Sequence, residues 1–218
     1  MSLDKKPVDG STIQALGEAL AAWLSRFHEW SRDVSKPNLL DVVRLNTDSL
    51  GKDLSANKLR SVERQCKDEK VVRYASQILN PTPHSQDCLG SPSQSVTEPP
   101  KCYLSVVDWE TCSFADFTRD IANMIADLYI KYHCSGNDQI LTLLEAFVAH
   151  YPVASQDSVY RIVGQVGENF FHWRIYVPEN HTQTHVDEVL NLGVELIIMG
   201  MEKDRQRIGK TFLNCLFI

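Results

Sequence analysis

Between Asn80 and Pro100 the chain reads NPTPHSQDCLGSPSQSVTEPP, with five prolines in this one stretch. Proline lacks the amide donor and clashes with the preceding turn, so neither a continuous helix nor a central strand can run through it. An irregular stretch of that length inside a compact domain marks a functional loop or a disordered insertion. It divides the chain into two parts of helical pattern. On the N-terminal side, Ile13, Leu16, Leu20, Trp23, Leu24 and Phe27 recur at helical spacing, which predicts a helix capped by Ser11 or Thr12 and running to about Trp30. Lys36-Pro37 ends it. Periodicity leaves Leu39–Leu45 open between a short helix and an extended segment. A charged helix is expected from about Ser55 to Leu79, with Leu59, Val62, Cys66, Val71, Val72, Tyr74, Ala75 and Ile78 facing inward.

Beyond the proline-rich stretch, the apolar run Tyr103–Val107 reads as a short strand that delivers Asp108 at its exit. Four helical patterns follow. They cover Ile121–Tyr132, opened by Asp120, Gln139–Tyr151, ended by Pro152, Ser158–Trp173, opened by Asp157, and a last one from Thr182 or Thr184 to about Arg207. No internal repeat is visible. The expectation is a mainly α (α+β) chain with a strand or hairpin around the loop and Asp108. It would have a flexible N-terminus over 1–10, one lobe over 11–208 and a C-terminal tail over 209–218.

Composition narrows the function. A net charge of −6 argues against general nucleic-acid binding, which needs a basic face to displace counterions. No apolar run reaches the roughly 18 residues of a membrane span, and MSLDKKPVDGST lacks the apolar centre of a signal peptide. The six cysteines, at 66, 88, 102, 112, 134 and 215, form no CxxC pair and read as reduced thiols. A cytoplasmic protein follows from these features.

Asp108 is the residue with the clearest chemical implication. A carboxylate at a strand exit supplies the hard oxygen that magnesium prefers, and phosphoryl transfer depends on such ligands. The plainer reading is that it caps the following turn. His181 and His185 stand four apart near a helix start, but without an HExxH glutamate they read as a solvated cap rather than metal ligands. Cys88, Cys102 and Cys112 flank the Asp108 strand. Only His84 lies near enough in sequence to activate them, and it sits in the irregular stretch, so nucleophilic catalysis is disfavoured. VGQVGE (163–168) reads as close helix packing, EKDRQR (202–207) as a solvated helix end, and Trp109, Phe170 and Trp173 as core or pocket lining.

LSVVDWE (104–110) followed by RDIANMIADLY (119–129) resembles the fungal aminoglycoside phosphotransferase-like family, in which a strand ending IDWE precedes a DLAQMIAELY-type helix. LLEAFVAHY (143–151), VYRIVGQVGENFFHW (159–173) and VDEVLNLGVELIIMGMEKDR (186–205) resemble its later helices, and LGEALAAWLSRFHEW (16–30) the helix that begins its helical lobe. The resemblance covers about 11–208, with a break in the proline-rich stretch. It implies the helical C-terminal lobe of a protein-kinase-like fold, with Asp108 as the magnesium ligand and ATP as the phosphoryl donor. Asp120 would brace the catalytic loop, or act as a plain helix cap. His28 would match a histidine of the lobe's first helix, packed beside Trp23 and Phe27.

Two departures stand out. The family places a catalytic loop with an aspartate before the strand. Here Cys88–Val96 occupies that place and Ser91 stands where the carboxylate is expected; a serine takes no proton at neutral pH without a base of its own. Asp87 is a weak substitute. About ten residues precede the first helix, too few for a nucleotide-gripping sheet lobe, and no GxGxxG or GxxxxGK[ST] stretch occurs. The resemblance therefore implies an aminoglycoside phosphotransferase or choline kinase-like protein, ancestrally ATP-dependent toward a small hydroxyl compound, truncated and catalytically impaired. The alternatives are a noncatalytic, pseudokinase-like module that binds a ligand or partner chain, and a gene-model fragment. A lobe without its partner should also expose an apolar surface and self-associate.

Overall fold

The computed structural model describes residues 9–31, 52–79, 117–153, 155–173 and 182–217. Among these residues the chain is helical, with no strand. The expected strand at Tyr103–Val107 lies outside them, as do Leu39–Leu45 and the proline-rich stretch.

Helix α1 spans Gly10–Ser31. Its cap is Asp9 rather than Ser11 or Thr12: the Asp9 carboxylate accepts from the Ser11 backbone N–H at 2.9 Å and from both hydroxyls. The region expected to form one helix to Leu79 is two, α2 at Lys52–Gln65 and α3 at Glu69–Leu79. No glycine or proline marks the break. Asp68 makes it, accepting the Lys70 N–H at 2.8 Å and so starting α3 afresh. Helix α4 covers Thr118–Ser135 and ends at Gly136, whose φ of 63° is the left-handed cap that glycine adopts without strain. Asn137 then caps α5, Asp138–His150. Helix α6 is Gln156–Trp173, with Ser155 accepting from the Ser158 N–H. Helix α7, Gln183–Glu202, is capped by Thr182. It stops five residues short of the expected end because Lys203 turns left-handed, at φ 54°, and Asp204 caps the short α8, Arg205–Ile208. A 3₁₀ helix follows at Phe212–Phe217.

Two apolar cores share α6 and α7. The larger joins α1, α4, α5, α6, α7 and the 3₁₀ helix around Ile121, Ile125, Phe147, Ile162, Phe170, Leu196 and Leu213. The smaller joins α2 and α3 to the far side of α6 and α7 through Val62, Val71, Ala75, Ile78, Phe171 and Ile197. Neighbouring residues thus point to different cores, Phe170 to one and Phe171 to the other. That is why α6 is buried without a break from Ile162 to Phe171. Such a helix has little room beside its partner, and the glycines provide it. A Cβ on Gly167 would stand 2.6 Å from the Gly193 carbonyl oxygen, and one on Gly200 would stand 2.6 Å from the Gly164 nitrogen. The packing reading of VGQVGE matches this geometry.

Candidate functional site

The buried stripe of α1 is rotated from the one that the aromatic residues suggest. Gly17, Ala21, Leu24, Ser25 and His28 face inward, while Trp23 and Phe27 stack along the flank and Trp30 is 46% exposed. Gly17 sets this rotation, since a Cβ there would fall 2.7 Å from Ala146 Cβ and from the Leu143 carbonyl oxygen of α5. The close approach of α1 to α5 carries His28, only 4% exposed, to the end of α5 and the start of α4.

There the imidazole bridges two oxygens. Nε2 lies 2.9 Å from Asp120 Oδ2 and Nδ1 lies 2.7 Å from the Tyr151 hydroxyl. A carboxylate only accepts, so Nε2 carries the proton toward Asp120. In the neutral ring Nδ1 then accepts from Tyr151 O–H. Phe117, Phe27 and Tyr151 surround the ring. His28 is therefore packed against aromatic side chains as expected, and it is also bonded to the acid that opens the α4 region. Asp120 does not cap α4. It stands in the first turn, where the helix dipole favours a negative charge, and 55% of its side chain is exposed.

The preceding residue reaches the other way. Arg119 donates to the Leu79 carbonyl oxygen at 2.6 Å and to Ser55 Oγ at 3.1 Å. Leu79 is the last residue of α3, Ser55 lies in the first turn of α2, and His28 lies in the last turn of α1. The first turn of α4 thus gathers the helix ends from which 32–51 and 80–116 depart. Function concentrates on segments that a rigid scaffold holds in this way.

Asp108, Ser91, Asp87, His84, Cys88, Cys102, Cys112, Trp109 and His181 lie outside the described residues. His185 packs edge-on to His133, with ring centres 5.5 Å apart, and Glu188 Oε2 is 3.3 Å from His133 Nε2. Among the described residues no group of three His, Cys, Asp or Glu side chains could hold a metal ion, and no helix is long and apolar enough to cross a membrane. Cys66, Cys134 and Cys215 are free thiols.

Sequence reasoning missed Arg119, Tyr151 and a polar group beneath α2. Lys58 donates to Asn169 Oδ1 at 2.7 Å and to Asn123 Oδ1 at 3.3 Å. Glu168 and Gln165 are buried beside Asn169 on α6. The signal was present: Gln165, Glu168 and Asn169 fall on one helical face within an otherwise apolar run.

The chain is similar to the phosphotransferase FrzJ of Cladobotryum sp, with 20% identity over 224 aligned residues that cover 93% of this chain and 58% of that protein. It therefore spans a little over half the length of this curated relative. No protein-family model matches the sequence, and no solved structure matches it. The likeness hints at a phosphotransferase-like family.

Proposed function

We propose that this chain is the helical lobe of a phosphotransferase of the aminoglycoside phosphotransferase-like type, in a protein-kinase-like fold, working on a small hydroxyl compound with ATP as donor. The observation that carries this reading is the likeness to a phosphotransferase along nearly the whole chain. Asp120 fits it as well. A carboxylate fixed on one oxygen by a buried histidine, at the junction of two long segments, suits the bracing of a catalytic loop. In this reading Asp108 would hold the magnesium ion, whose chemistry is to neutralise charge on the transferring phosphoryl group. The lobe that grips the nucleotide would come from a second segment or partner chain.

Ser91, at the position of the expected aspartate, favours a second reading, a noncatalytic module that binds a ligand or partner. Calorimetric titration of ATP into the purified chain, with and without magnesium, tests whether this chain alone holds the nucleotide. The expected result is no magnesium-dependent binding by this chain alone. Binding that needs magnesium and disappears in Asp108→Ala would instead make the isolated chain nucleotide-competent. Phosphorylation of an acceptor by the chain alone would end the noncatalytic reading.

A further inference from the structure

We propose that Glu168 is a proton-binding switch, its charge state setting how firmly the first turns of α2 dock on α4 and α6. The switch is independent of the reaction proposed above. Glu168 is 1% exposed, and its Oε1 has no hydrogen-bond partner among the described residues. A buried ionised carboxylate needs several donors, so a lone buried oxygen marks either a proton or a strained charge. Among the described residues, the charged and titratable groups around this site are Lys58 from α2, Arg119, Asp120 and Asp127 from α4, and His172 from α6.

Burial is the largest influence on Glu168 and pushes its pKa above the ordinary 4.5, against the pull of Lys58 and Arg119. Burial likewise pushes the Lys58 ammonium below its ordinary 10.5, with Glu168 opposing. Lys58 is also the side chain that ties α2 to Asn123 and Asn169. The remaining ties of α2 to α4 and α6 include Ser55 to Arg119 and Gln65 to the Phe171 carbonyl. Ser55 and Lys58 thus hold the N-terminal turns of α2 by polar contacts, whereas Val62 anchors its other half in the smaller core.

The sign follows from linkage. Lifting the first turns of α2 hydrates Glu168 and returns it to its ordinary proton affinity, so the docked form binds the proton more tightly. Docking is strongest below 4.5 and weakens as pH rises through the folded-state value. Lys58 contributes the opposite sense on the alkaline side. Its penalty is present below its lowered folded-state value and is relieved as pH rises toward 10.5. Docking is thus weakest between the two.

Hydrogen-exchange protection of the amides in 53–62, followed from about pH 5 to about pH 8, tests the switch, with α7 amides as the control for global opening. The expected result for the native protein is a progressive loss of protection across this range. In Glu168→Gln, which fixes the neutral shape, protection should be flat. A flat native profile, or an unchanged fall in Glu168→Gln, overturns the proposal. Should that variant not fold, carbon-detected titration of the native Glu168 carboxyl decides the matter. A midpoint above 4.5, shared by the α2 amide shifts, supports the switch. A midpoint at or below that value, or α2 shifts that do not follow it, overturns it.

Discussion

The imidazole of His28 uses each nitrogen on a partner far away in sequence, Asp120 at a separation of 92 residues and Tyr151 at 123. A bond to a carboxylate contributes about 1.5–3 kcal/mol and a bond between neutral groups about 1 kcal/mol. His28→Ala also opens a buried cavity and leaves the Tyr151 hydroxyl without this acceptor. The expected destabilisation is about 2–4 kcal/mol in urea unfolding, against about 1 kcal/mol for Tyr151→Phe. Equal losses in the two variants would mean that packing, not the bridge, holds this corner. The thiols give a second residue-scale expectation. Burial pushes Cys134 and Cys215 above the ordinary thiol range, so less thiolate is present at any given mildly alkaline pH. Both should alkylate more slowly than free cysteine at about pH 8, as read by peptide mass spectrometry of the native protein. Sequence reading found His28 and Asp120 separately, His28 through the family resemblance and Asp120 as the acid that opens a helix as well as through that resemblance. Their pairing was not legible, because it depends on how closely Gly17 lets α1 approach α5.

At the scale of the helix, the α6–α7 pair sets two effects against each other. Alanine is favoured over glycine in a helix by about 1 kcal/mol. Overpacking a tight contact costs about 1–3 kcal/mol, and here the clash is with the backbone of Gly193 and Ile197, which cannot rotate aside. Gly167→Ala should therefore lower the thermal midpoint despite its better propensity, and a raised midpoint would show that the helices have room to separate. Gly136→Ala should also destabilise, by about 1 kcal/mol and for a different reason, since an added Cβ would meet no packing neighbour within 4 Å among the described residues and the left-handed backbone resists. Helix existence was largely legible from apolar spacing. The boundaries were not, wherever a single side chain outweighed the pattern. Asp68 divided an expected single helix into α2 and α3, and Asp204 with Lys203 divided the last. Both breaks depend on local carboxylate–amide bonds that periodicity does not register.

For the whole molecule, the division of α6 and α7 between two cores makes each core depend on the other. Truncating Leu213 in the larger core or Val71 in the smaller one, each to alanine, should shift the same cooperative transition, with Leu213→Ala costing about 2–5 kcal/mol. Coincident unfolding curves by circular dichroism and tryptophan fluorescence would bear this out, whereas two separated transitions would show that α2 and α3 melt on their own. The 3₁₀ helix belongs to this unit, with Phe212 stacked on Tyr129 at 4.1 Å between ring centres. The gathering of helix ends at the first turn of α4 also bears on how such a chain diverges. A segment whose two ends are pinned side by side can lengthen with little thermodynamic effect, about 0.6 kcal/mol for each doubling. Arg119 and Asp120 thereby hold three helix ends together whatever the length of the segments that leave them.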